Sequence, residues 1–197
     1  MGHIFYLMGK SSTGKDTLYK KLLKDPRLKL NRLVTYTTRP IRIGEHDGVE
    51  YHFVDREQYE EMRKADRIIE SRVYHTYMGD WIYYTARDEE VDPKNKDYII
   101  IGTLEAYMKV RDCYGADVVV PILIELDDGE RLYRAFRREK HQKVPKYEEM
   151  CRRFLADQED FADDKIEAAG ITRRFENKEL FECYEEIKKY IVQWMEG

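Results

Sequence analysis

Cysteine is scarce in this chain, and the three present, Cys113, Cys151 and Cys183, are odd in number and far apart. A disulfide framework is therefore not expected, and the lack of metal-ligand spacing speaks against a zinc site. A reducing, cytoplasmic setting is the expectation. Long apolar runs are missing as well. The first, Ile4 to Met8, is too short for a signal-peptide core or a membrane span and lacks basic flanks, and Tyr6 stands where N-myristoylation wants Ser or Thr. No membrane partner and no targeting segment are expected. An excess of positive charge is absent too. The formal net charge is -4, which speaks against a nucleic-acid partner. Basic residues gather only locally, at Arg39 and Arg42 and between Arg131 and Arg153, as suits a small anionic ligand.

What is present is a well-mixed globular composition, 42% hydrophobic and 38% charged over 197 residues, enough for one buried core in a single domain spanning 1–197. The runs Ile4 to Met8, Tyr98 to Ile101 and Val118 to Ile124 are apolar without alternation, as strands buried on both faces of a parallel sheet are. Leu33 to Thr37 reads as a fourth strand and Ile171 to Phe175 as a fifth, at an edge because of Arg173 and Arg174. Helical patterns fall between them: Leu18, Leu22 and Leu23 before Asp25-Pro26, Leu104, Tyr107 and Met108 before Gly115, and Tyr184 to Met195. Alternation of strand and helix predicts an α/β fold. Two stretches interrupt it. From about Arg42 to Thr85 the chain reads as a helix opened by an Asp55/Gln58 capping box, then two antiparallel strands, Ile68 to Tyr74 and Trp81 to Thr85, around Gly79-Asp80. From Arg131 to Phe161 it reads as two arginine-rich helices joined by residues 141–146. No internal repeat or low-complexity tract occurs.

Gly9-Lys10-Ser11-Ser12-Thr13-Gly14-Lys15 follows a buried strand and opens a helix, the setting in which G-x-x-x-x-G-K cradles phosphates with backbone N–H groups. Lys15 would reach the β and γ phosphates. Asp16 occupies the position where that motif has a Ser or Thr for Mg²⁺, and Thr17 is the available hydroxyl. Asp16 either binds the metal through water or serves the helix N-terminus by its charge.

The segment Thr35-Tyr36-Thr37-Thr38-Arg39-Pro40-Ile41-Arg42-Ile43-Gly44-Glu45, continuing to Tyr51-His52-Phe53, resembles the guanylate kinase family. Two guanidiniums and a tyrosyl hydroxyl can hold a phosphate dianion bidentately, and holding it fixed is most of such an enzyme's task. The resemblance implies that Arg39, Arg42 and Tyr51 hold the acceptor's phosphate while Thr35 and Glu70 approach its guanine base. Tyr83 and Thr85 are the counterparts of a family tyrosine and hydroxyl, across an alignment that needs extra residues. After Tyr98 to Ile101 the family carries aspartates where this chain reads Gly102-Thr103-Leu104-Glu105, leaving Glu105 as the carboxylate to substitute. Arg134, Arg138 and Arg153 match the family's catalytic lid arginines, with Arg131, Arg137 and Arg152 as solvated neighbours, and Asn177 matches an asparagine near the adenine site. The donor-binding set is then Gly9, Ser11, Ser12, Thr13, Gly14, Lys15, Asp16, Thr17 and Asn177, with Asp16 and Thr17 toward Mg²⁺.

The implied architecture is a P-loop three-layer sandwich on a five-stranded parallel sheet. Its core would cover about 1–38, 86–130 and 162–197, a mixed nucleotide-monophosphate-binding insert about 39–85, and a helical lid about 131–161. The implied reaction is GMP + ATP to GDP + ADP, with Mg²⁺ and small nucleotides as ligands. Two alternatives stay open: a kinase for another phosphate acceptor, and a catalytically impaired domain that binds protein partners, against which the intact Gly9, Gly14 and Lys15 count. The sequence assigns no oligomeric state.

Overall fold

The computed structural model of the chain describes residues 2–76, 79–88 and 91–197. Strands β1 (Ile4–Met8), β2 (Asn31–Arg32), β7 (Tyr98–Ile101), β8 (Val119–Glu125) and β9 (Arg174–Glu176) form a parallel sheet in the order β2-β7-β1-β8-β9. Ile4 pairs with Tyr98 on one side and with Val119 on the other. Because successive strand residues face opposite sides, β1 serves two cores at once. Ile4, Tyr6 and Met8 pack on Tyr107 and Val110 of α3 (Leu104–Tyr114) and Ile166 of α6 (Asp163–Ala168). Phe5 and Leu7 pack instead with Leu18 and Leu22 of α1 (Lys15–Lys24) and Ile187 and Ile191 of α7 (Leu180–Glu196). The result is the expected helix–sheet–helix sandwich.

A second, mixed sheet holds β3 (Tyr36–Thr37), β4 (His52–Phe53), β5 (Ile68–Thr76) and β6 (Gly79–Ala86), in the order β4-β3-β6-β5. Helix α2 (Arg56–Lys64) packs on it through Tyr59, whose ring meets that of Tyr84 edge-on at 5.1 Å. Its start is the anticipated capping box: Asp55 accepts the Gln58 N–H, and Gln58 accepts the Asp55 N–H. Helices α4 (Asp128–Lys140) and α5 (Tyr147–Asp160) complete the molecule. Among the described residues no helix is long and apolar enough to cross a membrane.

Three local expectations need correcting. Leu33 to Thr37 is not one strand: Leu33 donates to Ile99 O as the continuation of β2, whereas Tyr36 and Thr37 have passed into the second sheet, between β4 and β6. An extended apolar stretch looks the same whichever sheet it joins. Gly79 and Asp80 are not a turn but the first residues of β6, with Gly79 paired to Thr76; residues 77–78 lie outside the described residues. The fifth strand lies at the predicted edge but is Arg174–Glu176, later than expected, and Arg174 there binds Glu125 and Asp163.

Candidate active site

The loop from Gly9 to Gly14 leaves the buried end of β1 and turns into α1. Gly9 has φ 151 and Gly14 φ 87, and a Cβ on Gly14 would stand 2.3 Å from Asn177 Nδ2, so conformation and close approach both require glycine there. Asn177 donates to Thr13 O at 2.7 Å and lies buried beneath the loop. Thr13 is fully buried and its hydroxyl donates to Lys10 O. Ser12 adopts φ 65, and its buried Oγ has no hydrogen-bond partner among the described residues, as has Asn177 Oδ1. Two orphaned polar atoms, one in the loop and one beneath it, suit a site built for a polar ligand. Lys15 Nζ lies 3.5 Å from Lys10 O, and burial holds its ammonium below its ordinary pKa despite the nearby Asp16 and Asp157 carboxylates. Asp16 and Thr17 are exposed on the first turn of α1.

The sequence reading missed how α4 and α5 are tied to this loop. Arg131, taken there for a solvated neighbour, is 1% exposed. Its guanidinium donates to Ser11 O at 3.0 Å, to Asp157 of α5 at 2.9 Å and to Asp128, and it lies over the Phe154 ring. Asp157 in turn accepts the Ser11 N–H at 2.7 Å, and Lys10 reaches Gln158. Spacing gave no signal, because an arginine on a helix announces its partner only when the neighbouring helix is in place. The predicted lid arginines are more open. Arg134 is held by Glu130 at 2.8 Å and lies toward Gly14. Arg138 is exposed but within electrostatic reach of Lys15. Arg153 is exposed and held at 2.9 Å by Glu149, whose carboxyl Arg152 and Arg153 push down to about 2.

On the second sheet, Arg39 is 4% exposed, its guanidinium gripped by both Glu45 oxygens at 2.7 Å, with Nε donating to Tyr83 Oη at 3.1 Å and Nη1 also to Pro40 O. Of five N–H groups one remains, on Nη2, open to a ligand. The Tyr51 ring packs 5.3 Å from this guanidinium and meets Tyr83 edge-on at 5.5 Å. Arg42 projects its side chain into solvent while its backbone N–H donates to Glu45. Arg39, Tyr51 and Tyr83 are thus one cluster with Glu45, which the sequence offers only as part of the motif and without a role of its own. Glu70 accepts from Thr85 Oγ1 at 2.7 Å and from Arg72, which also reaches Thr103 Oγ1 at 3.2 Å. Thr35 is half-buried and contributes its carbonyl to His52 N–H. Glu105 is exposed in the first turn of α3; it is Thr103, the N-cap of that helix, that reaches the Glu70 group.

A family model described as guanylate kinase matches residues 2–191. The guanylate kinase of Schizosaccharomyces pombe (strain 972 / ATCC 24843) is 36% identical over 107 residues, covering 53% of this chain and 51% of that protein. That of Streptococcus pyogenes serotype M3 (strain ATCC BAA-595 / MGAS315) is 34% identical over 134 residues, covering 64% and 61%. The chain therefore spans about half to three-fifths of the length of the curated relatives it matches. In fold it is similar to the crystal structure of guanylate kinase from Anaplasma phagocytophilum, with a TM-score of 0.61 over 98% of this chain and 85% of that one, at 24% identity. Since the family pattern runs from beside β1 into α7, through both sheets and both tied helices, this chain belongs to the guanylate kinase family.

Proposed function

We propose that the chain transfers the terminal phosphoryl group of ATP to the phosphate of GMP, giving ADP and GDP. The observation that supports this is that one family member carries two groupings suited to phosphate on separate sheets: the glycine-bounded loop ending at Lys15, and the Arg39, Tyr51 and Tyr83 cluster. In this reading β3 to β6 with α2 form the acceptor-binding insert, and α4 with α5 form the lid.

Phosphoryl transfer asks a protein chiefly for positioning and positive charge. Loop N–H groups and Lys15 hold the donor's phosphates, and Ser12 and Asn177 turn their orphaned atoms toward that nucleotide. Arg39, pre-oriented by Glu45, offers its remaining N–H to the acceptor phosphate, with Arg42 and the Tyr51 and Tyr83 hydroxyls completing the grip. Arg134, Arg138 and Arg153 bring charge to the transferring group and exclude water as the lid closes. Among the described residues no three His, Cys, Asp or Glu side chains cluster to hold a metal. The exposed oxygens of Asp16 and Thr17 nevertheless fit Mg²⁺ bound mainly through phosphates and water. When bound, Mg²⁺ neutralises charge developing on the phosphates. A cytoplasmic setting accords with Cys113, Cys151 and Cys183 all being free thiols.

A coupled assay of ADP formation, with ATP and Mg²⁺ and each common nucleoside monophosphate in turn, tests the assignment. GMP-dependent ADP release is expected. No detectable GMP phosphorylation alongside good use of another monophosphate removes the guanylate assignment and leaves the wider kinase.

A further inference from the structure

Ser12 holds a backbone conformation that is unfavourable for any residue with a side chain. Its φ is 65°, in the left-handed region that glycine enters freely. It stands third in a turn closed by Lys10 O, which accepts the Thr13 N–H at 3.4 Å and the Thr13 hydroxyl at 2.9 Å, and a positive φ at the third place of a turn ordinarily calls for glycine. Asn and Asp enter this region with the help of local hydrogen bonds from their own side chains, but Ser12 Oγ has no partner among the described residues. What keeps Ser12 there lies outside its own side chain.

The residue before it is fastened from both sides. Ser11 N–H donates to Asp157 Oδ2 at 2.7 Å and the Ser11 hydroxyl to Oδ1 at 3.3 Å, while Ser11 O accepts from Arg131 Nε at 3.0 Å. Arg131 and Asp157 are joined to each other at 2.9 Å, with side chains 1% and 14% exposed. Lys10, one residue earlier, reaches Gln158 and lies 3.8 Å from Asp128. Two consecutive loop residues are thus clamped between α4 and α5, and a strained conformation persists where its surroundings over-determine it. Rotation about Ser12 would re-aim each N–H between it and the start of α1, the groups suited to the donor's phosphates.

We propose that Asp157, held by Arg131, is a positioning residue for the donor nucleotide: it acts through the Ser11 peptide to keep Ser12 left-handed, and so keeps the phosphate loop in its binding shape before ATP arrives. This rests on the kinase reading above, in which the loop ending at Lys15 takes ATP. Preorganisation of this kind lowers the cost of binding, so its loss appears in donor affinity and leaves the acceptor alone. Glycine at position 12 needs no such clamp.

The test is a double-mutant cycle on the dissociation constant of ATP, read by calorimetry with no monophosphate present, beside kcat and KM for GMP at saturating ATP. Asp157→Ala should weaken ATP about tenfold or more in the wild-type chain, since one left-handed non-glycine residue corresponds to roughly that factor. In a Ser12→Gly chain the same substitution should weaken ATP by less than about threefold, and in both chains it should move KM for GMP by less than about threefold. A clamp that serves only general stability would weaken ATP equally in both backgrounds. That result overturns the proposal, as does an unmoved ATP affinity in Asp157→Ala or a rise in KM for GMP as large as the loss of ATP affinity. Should Asp157→Ala fail to fold, Arg131→Leu combined with Asp157→Ala, which leaves neither partner buried without its counter-charge, runs the same cycle against Ser12→Gly. An additive cycle with GMP still phosphorylated sinks this inference and leaves the kinase standing. The expected cycle with no GMP turnover does the reverse, and a wild-type chain that does not bind ATP overturns both.

Discussion

Lys15 meets two demands that pull in opposite directions. Its folded pKa lies below the ordinary lysine value, with desolvation as the largest cause, so the folded chain binds its proton less readily than the unfolded chain does. Its charge therefore opposes folding at neutral pH, and that cost fades only as pH rises toward the ordinary value. Lys15→Met is expected to lower kcat/KM by at least ~10²-fold while the melting temperature of the nucleotide-free protein at pH 7 holds or rises. Kinetics beside a thermal melt check both halves, and near-normal turnover would remove the loop from the mechanism. Asp25 has the opposite sign. The Tyr184 hydroxyl and then Arg27 hold its carboxyl below its ordinary value, and Lys188 pairs with it at 2.8 Å. The stability it contributes is complete above the unfolded carboxylate's pKa and is lost as pH falls through that value to the folded one. Asp25→Ala, leaving Lys188 buried without its counter-charge, should cost about 3 kcal/mol at pH 7, and progressively less as pH falls below the ordinary carboxylate value, read as melting temperatures. Residues with a motif around them, such as Lys15 and Arg39, were legible in the sequence. Asp25 reads there only as a helix stop, because the partners that give it work, on α7, are far away in the chain.

The pair α4 and α5 is where element-level reading fell short. Two helices and the link at 141–146 could be seen from the sequence, though α4 begins at Asp128 rather than Arg131, but not that Arg131 and Asp157 bind both each other and Ser11. Each left alone is a poorly compensated buried charge, so Arg131→Leu and Asp157→Ala should each destabilise by about 3 kcal/mol. Their combination should cost clearly less than the sum, with a coupling of at least ~1 kcal/mol in a denaturation double-mutant cycle. Additive effects would mean the pair is incidental. Arg138→Ala and Arg153→Ala touch no buried partner and should spare stability while lowering kcat by about 10²-fold. If only KM moves, these arginines do not act in the closed complex. Leu33 to Thr37 teaches a related lesson about strands: periodicity reports that a stretch is extended and half-buried, and the pairing partner is a property of distant residues.

For the molecule as a whole, the class of fold and the order of the sandwich were legible because the three central strands of the parallel sheet, β1, β7 and β8, are buried on both faces and announce themselves as apolar runs, whereas the short edge strands β2 and β9 do not. The hydrogen-bonded group around Glu70 was not, since it is assembled from β5, β6 and the start of α3, three places whose side chains meet only after folding. A ligand that joins the insert to the core should stabilise the whole fold. GMP at a hundred times its dissociation constant is expected to add about 2.7 kcal/mol, several degrees in a thermal shift, while guanosine, lacking the phosphate that Arg39 and Arg42 would grip, should add far less. Equal shifts would place recognition entirely at the base.

The position of β1 in the middle of its sheet has a consequence during synthesis. Its neighbours on either side, β7 and β8, begin at Tyr98 and Val119. The ribosome therefore releases five apolar residues and then makes on the order of a hundred more before both flanks can be covered, roughly 5–20 s at ordinary elongation rates. The β5–β6 hairpin, whose strands are adjacent in the chain, can form meanwhile. The nascent protein thus pairs β5 with β6 ahead of the parallel sheet, with Ile4–Met8 left as the segment most in need of a chaperone.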